Sequence, residues 1–251
     1  MRPPAPNFAA GIWSEIGGGS PDFAIALAQH DRYCETLREC GLNVTQLAAD
    51  FEHPDSTFIE DTAVLTNRAA IITRPGAQAR TAEATATLKS MRAFFDTVHE
   101  IQAPGTVDGG DVCAVDGEFI IGLSARTNDE GVKQLRVLLA RLGHKSSIVD
   151  IRASKTLLHL KSGLSYLGDG VFVIASEAPL GNALRRYKVI TVSPTEAYAA
   201  NCIRLNDNVV IAADYPELFG ALTARGYQVV ALAMSEFRKM DGGLSCLSLR
   251  F

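Results

Sequence analysis

The sequence predicts an α/β fold of the five-bladed αβ propeller type, in which ββαβ units repeat with approximate fivefold symmetry. Two observations predict it. One pattern of strands and helix occurs four times between residues 61 and 232, and the two chain ends carry the missing parts of a fifth copy. Repeats whose ends complete one another are typical of closed rings. We therefore expect one domain over residues 1–251, and an ordinary open α/β sheet is the alternative.

Each complete copy contains a short apolar strand, a polar turn, a second apolar strand, a helix and a third strand. Turns such as Asp116-Gly117 are typical of tight β-hairpins. The predicted helices cover residues 82–95, 129–142 and 215–225, with a shorter helical segment in the third copy. The first strands of the four copies are predicted to begin at Asp61, Asp111, Gly163 and Asn201.

The fifth copy is divided between the chain ends. Residues 244–249 form its predicted first strand, and residues 7–12 are the predicted partner of that strand. A helix follows, with Ser20 as its N-cap and Cys40 near its end, and residues 42–47 are the predicted third strand. The N- and C-termini would thus complete one blade together.

The first strands of such a ring begin near its axis, so the residues that start them should converge. Polar groups at the start of buried strands cost stability unless they are paired, and a cluster of them is a candidate site. Cys246 lies near the start of the fifth first strand, which directly follows the flexible pair Gly242-Gly243. A thiol at that place is a candidate nucleophile, and a buried structural cysteine is the alternative.

The composition excludes several classes of function. A net charge of −4 without a run of Lys or Arg gives no basis for binding nucleic acid or an anionic membrane. The N-terminus lacks the apolar run of a secretory signal, and no segment is long and apolar enough to span a membrane. Five cysteines without framework spacing fit reduced thiols, which indicates a cytoplasmic location. No cofactor is implied.

Several motifs together resemble one enzyme family. They occur together with Cys246, and as a set they are specific, whereas each alone is weak. The chain resembles the dimethylarginine dimethylaminohydrolases, which belong to the guanidino-group-modifying (pentein) superfamily, and the resemblance covers nearly the whole chain. The motifs are His159-Leu-Lys-Ser-Gly163, Phe58-Ile-Glu-Asp61, Thr73-Arg-Pro-Gly76, Thr106-Val-Asp-Gly-Gly-Asp111, Ser124-Ala-Arg-Thr-Asn128 and Tyr198-Ala-Ala-Asn-Cys202.

The resemblance implies a pentein fold and a cysteine-dependent hydrolysis of methylated arginines to citrulline and dimethylamine or methylamine. It implies that Cys246 is the nucleophile, which forms a covalent thiouronium intermediate, and that His159 is the general acid and base. Asp108 would lie beside His159, orient it and favour its protonated form. The apolar neighbours of His159 alone favour a satisfied core histidine, whereas the resemblance favours the catalytic role.

The resemblance also assigns residues that bind the substrate. Asp61, together with Glu60, would hold the guanidinium, and Asp55 would bind the α-amino group. Arg80 and Arg126 would bind the α-carboxylate, which suits a planar bidentate donor.

Backbone groups complete the implied site. The loop of residues 11–19 corresponds to a lid over the substrate, with the carbonyl of Ile12 on the α-amino group. The backbone of Leu244 would touch the guanidinium. The sequence leaves Asp111 and Asp241 unassigned between the site and structural capping.

Three alternatives remain open on the sequence. An arginine or other guanidine deiminase could use the same residues, whereas a non-catalytic pentein that binds a large partner should lack the cysteine and the histidine. A metal-dependent hydrolase could use Asp61, Asp108, Asp111 and His159, although their spacing matches no recognised ligand pattern. The partner expected is a small guanidino substrate, and the chain is either a monomer or a homodimer.

Overall fold

The computed structural model describes residues 1–13 and 19–251. The chain divides into two compact units. The first unit contains Met1–Phe58, Gly163–Glu177 and Tyr187–Ser248. The second unit contains Ile59–Ser162, Ala178–Arg186 and Leu249–Phe251.

The secondary structure alternates between short strands and helices. The helices are α1 (Phe23–Glu39), α2 (Glu83–Met91), α3 (Asp129–Arg141), α4 (Pro216–Thr223) and α5 (Ser235–Lys239). The strands are β1 (Ala63–Leu65), β2 (Ala70–Ile72), β3 (Val98–Glu100), β4 (Val112–Val115), β5 (Glu118–Leu123), β6 (Lys145–Asp150), β7 (Leu164–Tyr166), β8 (Val171–Ala175), β9 (Lys188–Val192), β10 (Ile203–Leu205), β11 (Asn208–Ala212) and β12 (Gln228–Leu232).

The described strands form four three-stranded sheets of one topology, which confirms the four predicted repeats. In each sheet the first two strands are an antiparallel hairpin and the third lies parallel to the second. In the second sheet, for example, Ile121 pairs with Val112 on one side and with Ile148 on the other. A parallel pair needs a long crossover connection, which α2, α3 and α4 supply in three of the repeats.

The hairpin turn between β4 and β5 has the backbone conformation that its sequence predicts. Asp116 and Gly117 have φ values of 46° and 82°, as a type I′ turn requires, and Asn206 has φ 53°. The third repeat differs from the prediction, because turns connect β8 to β9 where a short helical segment was expected. Pro179 and Gly181, which has φ 52°, account for the absence of a helix.

A short 3-10 turn precedes the first strand of every repeat, and this differs from the prediction that the polar residues start the strands themselves. Asp61 and Asp111 lie inside such turns, and Asn201 comes directly after one. A fifth turn carries Cys246. The five turns are Ile59–Thr62, Gly109–Asp111, Leu160–Ser162, Pro194–Ala200 and Ser245–Leu247.

The predictions for the chain ends are partly wrong. The predicted strands over residues 7–12, 42–47 and 244–249 are not strands, and Phe8–Ala10 is a 3-10 turn. Phe8 is fully buried against Phe58 and Phe237, so ring packing sets the path of this segment. Residues 42–47 instead bond to Met1, which donates to the carbonyl of Thr45 (3.0 Å) and accepts from the N–H of Leu47 (2.8 Å).

Helix α1 begins two residues later than predicted. Its N-cap is Asp22, whose side chain accepts a hydrogen bond from the N–H of Ile25 at 3.0 Å, and not Ser20. The buried face of α1 includes Tyr33 and Leu37.

In the second unit, Leu135 and Leu139 of α3 are completely buried in an apolar cluster with β4 and β5. Among the described residues, no helix combines the length and the apolar character that crossing a membrane demands.

Candidate active site

His159 is buried in the second unit beside two carboxylates. It precedes the turn Leu160–Ser162, and its Nε2 lies 2.8 Å from Asp108 Oδ2 and 3.9 Å from Asp61 Oδ1. Asp108 has no exposed surface. Its position is fixed by the N–H of Gly76, which donates to its Oδ1 at 2.8 Å, and by its own N–H, which donates to Thr127 Oγ1 at 3.0 Å.

The side chain of Asp61 accepts hydrogen bonds from two neighbours, Gly110 and Arg80. Its Oδ1 accepts the N–H of Gly110 at 2.9 Å, and its Oδ2 accepts Arg80 Nη1 at 2.6 Å. A side chain at position 110 is excluded, because a Cβ there would lie 2.8 Å from Asp61 Oδ1 and 2.9 Å from the ring of His159. Glycine at this position therefore allows the carboxylate and the imidazole to approach each other.

The charges of His159 and Asp61 stabilise each other. Burial alone lowers the pKa of His159, but the charge of Asp61 and the hydrogen bond to Asp108 outweigh burial and raise the pKa to about 9. Burial alone raises the pKa of Asp61, but the charges of His159 and Arg80 lower it to about 2. At neutral pH His159 is therefore an imidazolium ion beside the ionised carboxylate of Asp61.

Arg80 is buried and already paired. Its guanidinium donates to both oxygens of Glu83 (2.9–3.2 Å) as well as to Asp61. From sequence alone this residue would be a surface arginine, and Glu83 was not predicted at all. Burial lowers the pKa of Arg80, but the two carboxylates raise it well above its ordinary value.

Arg126 lies on the loop between β5 and α3 and is half-buried. Its N–H donates to Ser124 Oγ at 3.0 Å, and its backbone packs against Gly76, where a Cβ would lie 2.1 Å from the carbonyl oxygen of Arg126. Within residues 1–13 and 19–251, its guanidinium forms no ion pair or side-chain hydrogen bond. In the part of the chain that the structure describes, no carboxylate competes with an anionic ligand for this cation.

Glu60 is buried in the turn that carries Asp61 and is paired with Lys161. Lys161 Nζ lies 2.6 Å from Glu60 Oε1, and Arg250 Nη2 lies 3.9 Å from the same oxygen. Lys161 was not predicted as a site residue, although it stands two positions after His159 in a motif that was recognised. The ion pair ties the turn after His159 to the turn that contains Glu60.

Asp111, which the sequence left unassigned, supports the turn after His159. It accepts hydrogen bonds from Ser124 Oγ (2.6 Å), Thr127 Oγ1 (2.7 Å) and the N–H of Leu160 (2.9 Å). Burial raises the pKa of Asp111 and outweighs the opposing effects of His159 and the two hydroxyls. Asp111 therefore connects the turn after His159 to Ser124 and Thr127 through hydrogen bonds.

One group of described residues has the composition of a metal site. Asp61, Asp108 and His159 each offer a ligand atom, and these atoms lie within 4.8 Å of one another. Their charges oppose metal binding, because a ligating histidine must be neutral, whereas the pKa of His159 is about 9 and Arg80 already pairs with Asp61. The arrangement suits an organic cation with hydrogen-bond donors better than a metal ion.

Cys246 lies in the first unit, in the middle of the turn Ser245–Leu247. Its Sγ accepts the N–H of Gly243 at 3.3 Å. It is half-buried, whereas the other four cysteines, which are free thiols too, are buried. Cys246 is therefore the thiol that a reagent or substrate can reach most easily.

The segment before Cys246 is anchored by two tyrosines. Tyr33 Oη donates to the carbonyl of Leu244 at 2.8 Å, and Tyr198 Oη donates to the carbonyl of Gly242 at 2.8 Å. Burial, followed by the charge of Cys246, raises the pKa of Tyr198 well above its ordinary value, so its phenol remains a donor. The backbone of Leu244 was predicted to contact the guanidinium, and its carbonyl already accepts this hydrogen bond from Tyr33.

Asp55 and Ile12, the two residues expected near the α-amino group, contact each other in the first unit. The N–H of Ile12 lies 3.0 Å from Asp55 Oδ1 and 3.2 Å from Oδ2. Asp55 is buried, whereas Ile12 and Trp13 are exposed. Residues 14–18 of the predicted lid lie outside the described residues.

Comparison with known proteins places the chain in a family. A sequence model of the arginine deiminase family matches residues 52–184. The N(G),N(G)-dimethylarginine dimethylaminohydrolase of Pseudomonas aeruginosa is 41% identical over 251 residues, which cover 100% of this chain and 97% of that protein. The chain belongs to the dimethylarginine dimethylaminohydrolase family. A second member, from Streptomyces coelicolor, is 32% identical over 250 residues and covers 100% of this chain and 95% of its own.

Solved structures give the same result for the fold. The Pseudomonas aeruginosa dimethylarginine dimethylaminohydrolase, solved as a cysteine-to-serine variant complexed with citrulline, has a TM-score of 0.96 and 40% identity over 100% of this chain and 97% of that chain. The N-terminal domain of the cyanobacterial arginine dihydrolase ArgZ has a TM-score of 0.90 at 19% identity over 100% and 96% of the two chains, which shows a shared fold. The predicted pentein fold class is confirmed.

Proposed function

We propose that this chain hydrolyses Nω-methylated arginines, namely asymmetric dimethylarginine and monomethylarginine, to citrulline and dimethylamine or methylamine. The observation that carries the proposal is the buried imidazolium of His159 between Asp108 and Asp61, 2.8 and 3.9 Å away. A resting imidazolium is a general acid that can protonate a departing amine. Two relatives named as dimethylarginine dimethylaminohydrolases support the choice of reaction.

The guanidinium of the substrate is planar and cationic, so it is recognised by carboxylates placed at its edge. The carboxylate of Asp61 is ionised throughout the neutral pH range and can bind such a cation, because its pKa is about 2. Glu60 shares the same turn, but Lys161 already compensates its charge. We therefore assign the main contact to Asp61 and a secondary one to Glu60.

Catalysis then proceeds in two half-reactions. The Cys246 thiolate attacks the central guanidinium carbon, and a C–S bond forms. His159 gives its proton to the methylated nitrogen, the C–N bond breaks, and the amine leaves a covalent thiouronium on Cys246. Neutral His159 takes one proton from water as the hydroxide attacks the same carbon. The C–S bond then breaks, the thiolate leaves, and the second proton of the water passes to solvent as the carbonyl of citrulline forms.

This scheme requires Cys246 and His159 to act on one carbon. Two solved structures of dimethylarginine dimethylaminohydrolase support it, one a cysteine-to-serine variant with citrulline and the other a histidine-to-glycine variant as an adduct with S-methyl-L-thiocitrulline. The two substituted residues are numbered as far apart as His159 and Cys246 are here. Asp108 would orient His159 and keep it protonated.

The amino-acid end of the substrate needs groups of both charges. Asp55 and the Ile12 carbonyl are proposed for the α-amino group, and the Leu244 backbone for the guanidinium end. Arg126 is proposed for the α-carboxylate, because its guanidinium has no competing partner among the described residues. Arg80 is proposed as a second donor to the α-carboxylate. It would bind the α-carboxylate in addition to its ion pairs with Asp61 and Glu83.

The test is citrulline formation from asymmetric dimethylarginine, monomethylarginine and arginine, with the native chain, Cys246→Ser and His159→Ala. Turnover of the methylated substrates alone, abolished in both variants, is the expected result. Preference for arginine would establish the second candidate, a deiminase, which the match to the arginine deiminase family favours. No turnover of any of the three would refute both.

Further parts of the proposal concern the whole protein. The two compact units are proposed to work as a single domain of residues 1–251, with residues 11–19 as a lid. The five free cysteines fit a reducing compartment, so a cytoplasmic location is proposed. A homodimer, without nucleic acid or membrane partners, can be tested by light scattering on the purified chain.

A further inference from the structure

Three polar side chains in or next to the 3-10 turns have the same role. In each case a side-chain oxygen accepts a hydrogen bond from the backbone N–H of a residue in the turn of the following repeat. The pairs are Asp61 with Gly110, Asp111 with Leu160, and Asn201 with Ser245, each at 2.9 Å. In the first two cases the polar residue is a carboxylate near His159, and in the third it is a neutral amide.

The contact of Asn201 with the Cys246 turn has three parts. Its Oδ1 accepts the N–H of Ser245, and its Nδ2 donates to Ser245 Oγ at 3.0 Å. Its side chain also packs on Gly243, where a Cβ would lie 2.5 Å from Asn201 Cγ. Asn201 is therefore in contact with the residue before Cys246 and with the residue whose N–H donates to Cys246 Sγ.

The chemistry of the thiol explains why an amide suits this position better than a carboxylate. A carboxylate at position 201 would place a negative charge beside Cys246 and oppose formation of the thiolate. An amide accepts the same backbone hydrogen bond without that charge, and its NH₂ group adds a second bond to Ser245.

We propose that Asn201 is a positioning residue for Cys246. Its amide holds the turn from Gly243 to Cys246 in the conformation in which the N–H of Gly243 donates to Sγ. The hydrogen bond from the N–H of Gly243 to Sγ stabilises the thiolate and sets the direction from which sulfur attacks. The catalytic part of this inference rests on the proposed function, whereas the effect on the thiol does not.

The test compares Asn201→Ala and Asn201→Asp with the native chain by two readouts. The first is the rate of Cys246 alkylation by iodoacetamide as a function of pH, mapped by mass spectrometry, since the other four thiols are buried. The second is steady-state turnover of asymmetric dimethylarginine. Thr57→Val is the matched control, because it removes another buried hydrogen bond of the first unit, from Thr57 Oγ1 to the carbonyl of Arg2.

Asn201→Ala is expected to lower kcat about tenfold or more, with a much smaller change in KM, and to slow alkylation at neutral pH. Asn201→Asp should move the pH profile of alkylation to higher pH, while Thr57→Val leaves both readouts unchanged. The aspartate is isosteric, so it keeps the test open if the alanine variant does not fold. Native kcat and native alkylation profiles in both Asn201 variants would overturn the proposal.

The two proposals fail in different ways. If the native chain turns over no guanidine substrate but Asn201→Asp still shifts the alkylation profile, the positioning role stands and the proposed function is wrong. If the native chain is active and the alkylation profile does not depend on position 201, the proposed function stands and the positioning role is wrong.

Discussion

Asp108 and His159 are 51 positions apart in the sequence, and Asp108 Oδ2 lies 2.8 Å from His159 Nε2 in the structure. With Asp61 3.9 Å from the same nitrogen, two buried carboxylates face one imidazole. The pKa of His159 is about 9 as a result, and burial alone would have lowered it. The histidine is therefore protonated before the substrate arrives.

The first prediction concerns the pH dependence of activity. Because we propose the protonated form of His159 as the general acid, kcat/KM should fall as the pH rises through about 9. Asp108→Asn removes one of the charges that raise this pKa, so the alkaline limb should move to lower pH and kcat should fall. Citrulline formation measured from neutral to alkaline pH checks both effects. An alkaline limb that stays in place in Asp108→Asn would contradict the assignment.

The second prediction concerns stability. The folded pKa of His159, about 9, is above its ordinary value of 6.5, so its contribution is fully present below 6.5 and is lost as the pH rises through 9. The shift corresponds to roughly 3 kcal/mol. Urea unfolding of the native chain and of His159→Gln should differ more at slightly acidic pH than above pH 9. A constant difference would show that folding does not shift the pKa of His159.

The third prediction concerns Arg126. Arg126→Met should raise KM for the methylated substrates about 10- to 100-fold with a smaller effect on kcat, because it would remove the proposed bidentate contact with the α-carboxylate. The KM of Arg126→Lys should lie between the values for the native chain and for Arg126→Met. Arg152→Met is the control, because that exposed arginine pairs with Asp150 and Asp129. Equal KM values in the native chain and Arg126→Met would remove this residue from the site.

The fourth prediction concerns the pair of Glu60 and Lys161. Lys161→Met leaves the buried carboxylate without the cation 2.6 Å away, so the free energy of unfolding should fall by roughly 2 kcal/mol. Glu60→Gln in the same chain should restore part of the loss. Urea unfolding of the native chain, the two single variants and the double variant gives the interaction free energy of the pair. Lys133→Met, which affects only an exposed pair, should change little. Additive effects of the two changes would contradict a direct interaction.

The fifth prediction concerns two glycines. Gly110→Ala should reduce kcat strongly, because its Cβ would meet Asp61 and His159 at 2.8–2.9 Å. Gly220→Ala in α4, where nothing lies within 4 Å, should leave activity unchanged and stabilise the protein by about 0.5–1 kcal/mol. Citrulline assays and urea unfolding of both variants make the comparison. Native activity in Gly110→Ala would show that the close approach is not needed.

Local patterns were sufficient for the four sheets. Alternating apolar residues separated by pairs such as Asp116-Gly117 specify a hairpin through contacts a few residues apart, so strands and turns could be assigned without the structure. Helix α3 follows from the same kind of local information, since its N-cap Asn128 and its buried positions at helical spacing lie within one segment. Cys246 and His159 stood out through their motifs.

Other features depend on partners far away in the sequence. The pairing of Met1 with Thr45 and Leu47, and the packing of Phe8 on Phe237, set the conformation of the N-terminal segment, and no local pattern encodes them.

The electrostatics of the candidate site follow the same rule. The sequence contained Arg80, Asp61, Glu60 and Lys161, but only the tertiary structure decided that the arginine is buried against Asp61 and that the lysine compensates Glu60. The physical reason is that charge pairing depends on distance and burial. Both are properties of the packed chain, whereas strand and turn propensity are properties of neighbouring residues.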